Sequence, residues 1–159
     1  MITIYTDGSS LNNQHKGSRR GGVGVFYGDN DIRNISKPLI ESNENKVTNQ
    51  VAELTACLLA IENNEDTEIL ICTDSMYTIN CVTRWAQTWK GKNWRKSDGK
   101  KIENLEIIQK LYEYYLTNKI KFKHVRGHKT EPPKDSPEYI DWYGNMMADL
   151  LATNASKTI

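Results

Sequence analysis

Residues 2–7 read ITIYTD and residues 69–74 read ILICTD. The first hexapeptide alternates and is rich in β-branched residues, as a strand is. The second is almost continuously apolar, as a central strand buried on both faces is. Each ends in an aspartate followed by a small residue, Gly8 in one case and Ser75 in the other. If the two strands are parallel neighbours, Asp7 and Asp74 stand side by side at their carboxyl ends. Open α/β sheets hold their ligand crevices there.

Outward from this pair, residues 21–28 (GGVGVFYG) and 32–40 read as two further strands, joined by a turn at Gly28-Asp29-Asn30-Asp31. The glycines at 21, 22, 24 and 28 fit neither a dinucleotide nor a P-loop pattern, and read as permitting close backbone packing or a bulge. Val51, Leu54, Leu58 and Ile61 recur at helical spacing over 49–62, with Thr48 or Asn49 as N-cap. Helical patterns cover about 76–86 and 102–117, and a strand covers 120–125. A last helix spans about 143–154, with Met146, Met147, Leu150 and Leu151 as its apolar side. The order βββαβα…αβα predicts an α/β fold, a mixed sheet with helices on its faces. Residues 129–141, KTEPPKDSPEYID, hold three of the four prolines and read as an exposed excursion.

The chain has 159 residues and a net charge of +1, with 38% hydrophobic and 26% charged residues. This length fits a single domain over 1–159, and the composition argues against a disordered or membrane class. No signal-peptide pattern opens the sequence, so the expected location is intracellular. Cys57, Cys72 and Cys81 lack CxxC spacing and read as buried thiols. The charge is unevenly spread. Residues 90–101 carry six bases against Asp98 alone, with Trp94 among them, and 119–129 carry Lys119, Lys121, Lys123, Arg126 and Lys129 without an acid. A basic stripe with tryptophans suits a polyanion that is also stacked upon. A solvated face is the bland alternative.

Taken singly, Asp7-Gly8 reads as a turn and Asp74-Ser75 as a helix N-cap. Glu53 lies within the otherwise apolar run Val51–Ile61, and Asp149 lies between Ala148 and Leu150 on the last helix. Together, two acids after strands and two on helices suit a two-metal site. Unpaired carboxylates so close raise one another's pKa unless a cation lies between them. Hard oxygen ligands in an open site favour Mg²⁺.

The segments IYTDGSSLNN, TNQVAELTA, ICTDSMYTIN, WAQTWKGKNWRKSDGKKIEN, HVRGH and GNMMADLLA, in this order from residue 1 to about 153, resemble ribonuclease H of type 1. That family cuts the RNA strand of RNA–DNA hybrids. The resemblance implies the ribonuclease H-like fold, with five strands, three antiparallel at the N-terminus and two parallel. It implies Asp7, Glu53, Asp74 and Asp149 as metal ligands for two Mg²⁺ ions with substrate bound, Mn²⁺ substituting, and His128 as a mobile catalytic histidine. His15 and His124 match nothing catalytic. Gly8 and Ser9 would lie near the scissile RNA, and Asn13, Asn49 and Gln50 in the minor groove. Lys46, Thr48 and Asn104 would grip a phosphate of the DNA strand. Trp85, Trp89 and Ser97 would line its channel, with Trp89 exposed and stacked on a deoxyribose.

The implied partner is an RNA–DNA hybrid, bound by a monomer with no obligate protein partner, no membrane and no separate hybrid-binding domain. His128 and Asp149 stand twenty-one positions apart, a longer loop than the family usually has, so the loop that carries the histidine is expected to be reshaped or to make an extra contact. The implied products carry 5′-phosphate and 3′-hydroxyl ends, with little sequence preference. The alternatives are a non-cleaving nucleic-acid-binding module, a nuclease of the same fold acting on another DNA or RNA structure, and a phosphoacceptor domain. The last leaves TNQVAE and the tryptophan stretch unexplained.

Overall fold

Strands β1 (Ile2–Leu11), β2 (Arg20–Phe26) and β3 (Ile35–Ile40) form an antiparallel meander. Strands β4 (Ile69–Thr73) and β5 (Ile120–His124) add to it in parallel, giving the order β3-β2-β1-β4-β5. This is the expected five-stranded mixed sheet, seen in a computed structural model that describes residues 1–11, 19–41 and 46–157.

The first strand does not stop at Asp7, as the sequence suggested. Its parallel ladder with β4 covers only Ile2–Tyr5 against Ile69–Cys72, whereas its antiparallel ladder with β2 continues to Leu11 opposite Arg20. Asp7 is therefore mid-strand, paired with Gly24 on one side and just beyond the parallel ladder on the other. That parallel register, carried two residues further, sets Asp7 opposite Asp74.

The sheet is covered on both faces. On one lie helices α1 (Asn49–Glu62) and α4 (Leu105–Leu116), whose Leu54, Cys57, Ile61, Ile108 and Leu111 pack with Ile4, Val25, Ile69 and Ile71. Thr48 caps α1, its Oγ1 accepting from the Val51 N–H at 3.1 Å. Between β4 and α4 the chain stays helical through α2 (Met76–Asn80), a π-helical segment (Cys81–Trp85) and α3 (Ala86–Lys90). The Thr83 hydroxyl donates to the Ile79 carbonyl at 2.7 Å within this irregular stretch, a bond that competes with the regular ladder.

Helix α5 (Tyr139–Ser156) covers the other face, where Ala148 packs with Tyr5, Phe26 and Cys72. Its buried side is small, made of Gly144, Ala148, Ala152 and Ala155, and Leu150 is 45% exposed. Of the expected methionine and leucine side, Met147 and Leu151 pack against this cluster at its margin, whereas Leu150 turns outward. The cause of the small buried side lies in β2: a Cβ at Gly22 or Gly24 would run into the Ala152 or Ala148 carbonyl, so strand and helix backbones nearly touch and only small residues fit between them. Helix α5 also begins four residues earlier than expected. Three side chains in its first turns are tied down: the Tyr5 hydroxyl donates to Asp141 at 2.7 Å, the Trp142 indole to the Lys129 carbonyl at 2.8 Å, and the Tyr143 hydroxyl to Asp29 at 2.6 Å. The Pro-rich excursion accordingly ends at 138. All three cysteines are buried and free, and no helix among the described residues is long and apolar enough to cross a membrane.

Candidate active site

Four elements deliver acids to one end of the sheet. Asp7 comes from β1, Asp74 directly follows β4, Glu53 projects from α1 on one face, and Asp149 from α5 on the other. Ligand oxygens of Asp7, Glu53 and Asp74 all lie within 4.8 Å of one another, a grouping found nowhere else among the described residues. Asp149 joins them in lining an open cleft of about 380 Å³, with Gly8, Ser9, Asn49, Gln50 and His128. Asp74 does not cap the helix after it. Ser75 does, accepting from the Thr78 N–H at 3.1 Å, which leaves the Asp74 carboxylate for the cleft.

The electrostatics of the group are strained. Burial pushes the Asp7 carboxyl far above the usual carboxylate range, and the hydrogen bond and charge of Glu53, then the Asp74 charge, add to that. Burial also raises Glu53, with further pressure from Asp74 and Asp149. Asp74 is raised by burial and by Asp149, and His128 partly offsets this. One oxygen of Glu53, Oε2, is buried without a hydrogen-bond partner. Converging hard oxygens, mutual repulsion and an orphaned buried acceptor all fit a divalent cation such as Mg²⁺ or Mn²⁺.

His128 reaches the cleft from the turn after β5, with left-handed backbone at φ 54°. The turn is pressed onto the acids: a Cβ at Gly127 would collide with the Asp74 carboxylate, so glycine there lets backbone meet side chain. His124, on β5, lines a different cavity with Arg126 and Trp142. His15 lies outside the described residues.

The structure brings some expected substrate contacts together and separates others. Asn49 and Gln50 are exposed at the start of α1 beside the acids, with the Ser10 hydroxyl donating to Asn49 Oδ1 at 2.7 Å. The Ser9 hydroxyl is turned away, donating to the Ala152 carbonyl at 3.1 Å. Lys46, Thr48 and Asn104 line an adjoining groove with Gln50, Arg19 and Tyr77. Asn104 holds left-handed backbone at φ 62° and donates to the Tyr77 hydroxyl at 3.4 Å. Asn13 lies outside the described residues.

Ser97 sits on the tip of a basic protrusion closed by an Arg95–Lys101 bridge, away from cleft and groove. Trp85 is 40% exposed, whereas Trp89 packs half-buried against the core, its ring 6.0 Å from that of Trp85. The expectation of an exposed Trp89 is therefore corrected: the irregular helix turns Trp85 outward instead. Sequence reasoning missed Arg19, Ser10 and Tyr77. Nothing in the sequence marked Arg19, the unforeseen extension of β1 carries Ser10, and Tyr77 stands three positions after Asp74 on the helix that the strand feeds.

The family model described as RNase H matches residues 1–157. A protein named ribonuclease H from Schizosaccharomyces pombe is 37% identical over 149 residues, 94% of this chain and 50% of that protein. Another ribonuclease H, from Ruthia magnifica, is 31% identical over 160 residues, 99% of this chain and 97% of that protein. The crystal structure of LC9-RNase H1, described as a type 1 RNase H with the type 2 active-site motif, superposes with a TM-score of 0.68 at 26% identity. It covers 97% of this chain and 71% of that one. The chain spans about half the length of several curated relatives, the fission-yeast protein among them. On the sequence match over its length, the chain belongs to the ribonuclease H family.

Proposed function

We propose that this chain hydrolyses the RNA strand of RNA–DNA hybrids endonucleolytically, with Mg²⁺ or Mn²⁺, leaving 5′-phosphate and 3′-hydroxyl ends. The observation that carries the reading is the convergence of Asp7, Glu53 and Asp74 within 4.8 Å, beside Asp149 and His128 on an open cleft, in a chain of this family.

Asp7, Glu53, Asp74 and Asp149 would hold the cations. Such ions, two with substrate in place, supply a lowered water pKa and stabilisation of charge on both the attacking and leaving oxygens. The chain's own residues do the rest. His128 stands at the cleft edge, where a proton must move between water and product. The Asn49 and Gln50 amides both donate and accept, as recognition of a ribose 2′-hydroxyl requires. Lys46, Thr48 and Asn104, with Arg19 as a further cation, offer donors to a DNA-strand phosphate in the groove. Thr48 uses its hydroxyl oxygen to cap α1, so its hydroxyl proton is what remains for phosphate.

In this reading the contacts go to sugars in the minor groove and to phosphates, which carry little sequence information, so little sequence preference is expected. The basic protrusion 90–101 extends the phosphate contacts, and affinity should fall steeply with salt. We further propose that the chain acts as a monomer.

The test is cleavage of end-labelled RNA–DNA hybrid, duplex RNA, duplex DNA and single-stranded RNA. Cutting of the hybrid's RNA strand alone, with 5′-phosphate ends, is the expected result. Tight hybrid binding without cutting would replace this reading with a binding module.

A further inference from the structure

Trp142, Asn145, Met146 and Asp149 fall three, four and seven positions apart on α5, and so share one stripe of that helix. With Asp74, His128 and Lys129 they line a further, smaller cavity of about 100 Å³. Asp74, His128 and Asp149 line both this cavity and the larger cleft. His128 thus stands at the boundary between the two. Asn145 is 6% exposed, and its Oδ1 is buried without a hydrogen-bond partner. Buried amide oxygens are rarely left so, and one that is asks for a donor. Trp142 spends its indole N–H on the carbonyl of Lys129, the residue after His128.

We propose that Trp142 and Asn145 are positioning residues for His128. The indole pins the backbone beside the histidine, and the Asn145 carbonyl oxygen accepts from one imidazole nitrogen, so that the other is presented to the cleft. The physical need is plain. An imidazole nitrogen acts as acid or base in a defined way only when the opposite nitrogen is held, because the bond made by one sets the proton on the other. His128 is exposed, has left-handed backbone, and leads into a loop that stays non-helical to 138. Chain connectivity alone does not fix its ring. In the proposed arrangement two side chains from a packed helix do: Trp142 through the Lys129 carbonyl, and Asn145 through the acceptor it holds free.

The kinetic consequence rests on the hydrolytic reading above, whereas the contact itself does not. Trp142→Phe keeps an aromatic ring but loses the indole N–H together with the five-membered part of the bicycle, and Asn145→Ala removes the acceptor. Each is made in the wild-type and His128→Ala backgrounds, with circular dichroism as the check on folding. Either change should lower kcat on an RNA–DNA hybrid about three- to tenfold, the scale of one hydrogen bond, with KM unchanged. In the His128→Ala background neither should lower it further. The ¹⁵N resonances of the His128 ring in metal-free protein should move in Asn145→Ala. Equal losses in both backgrounds, or an unmoved His128 ring signal, would overturn the proposal. Failure of the wild type to cut hybrid would sink the functional reading instead, and the ring resonances would still decide this one.

Discussion

Asp7, Glu53 and Asp149 stand on packed elements, and Asp74 directly follows a buried strand, whereas His128 stands on an exposed turn that leads into the Pro-rich loop. The difference shows in what each region stores. The acids cannot spread apart without breaking a core of fully buried side chains such as Ile4, Leu54 and Ile71, and truncating a residue of that kind costs about 2–5 kcal/mol. Burial there, with their mutual repulsion added, holds the carboxyls of Asp7, Glu53 and Asp74 above the usual range. The histidine stands outside that core on an exposed turn, and its position depends on a few local contacts. A rigid, charged centre and a lightly held histidine should respond to substitution by very different amounts.

The largest effect is expected from Asp74→Asn. It removes a charge from the rigid centre while leaving the fold, and should cut turnover at least about 10³-fold, with hybrid affinity retained in binding measurements. Gly127→Ala strikes where the two regions touch. Its Cβ would meet the Asp74 carboxylate, and displacement of this order costs about 10²-fold in turnover. His128→Ala should cost about 10²-fold or less, the lower range of acid–base contributions, and activity should persist. A loss for His128→Ala equal to that for Asp74→Asn would erase the contrast between the regions.

A smaller effect concerns stability without metal. Carboxyls raised above their unfolded values, about 4, hold protons in the native state that the unfolded chain has already released. Native protein then binds more protons than unfolded protein, so stability falls as pH rises above the ordinary carboxylate range. Protein in EDTA should lose about 1–3 kcal/mol between pH 5 and 8 in urea titrations. Added Mg²⁺ should recover more at pH 8 than at pH 5, and Asp7→Asn should flatten the dependence. Stability rising over that window would contradict the electrostatic account. The smallest effect is expected at Ser97, on the exposed protrusion: Ser97→Ala should leave kcat within twofold, since exposed changes away from packed features cost at most about 0.5 kcal/mol.

The parts legible in the sequence share a cause. ITIYTD and ILICTD announce strands by pattern, and in parallel neighbours of this register the two aspartates stand opposite each other. Thr48 and the run after it announce a capped helix, which fixes where Glu53 projects. What escaped depended on neighbours distant in the chain. The continuation of β1 beyond Asp7 is dictated by its pairing with β2, not by its own residues. The small-residue face of α5 follows from glycines more than a hundred positions earlier, where periodicity counts only the large apolar residues Met146, Met147, Leu150 and Leu151. The outward turn of Trp85 and the half-burial of Trp89 follow a π-helical segment that shifts side chains off the regular period. Asn145 reads as an unremarkable helix residue, and only the cavity behind His128 gives its buried oxygen a meaning.

The most direct test of the central claim is a single cleavage experiment on end-labelled RNA–DNA hybrid. It compares wild type with Asp74→Asn, each in Mg²⁺ and in EDTA. The account predicts cutting of the RNA strand only by wild type with Mg²⁺, while the variant still binds the hybrid and keeps its fold. Wild-type-like turnover by Asp74→Asn, or cutting that survives EDTA, would contradict it.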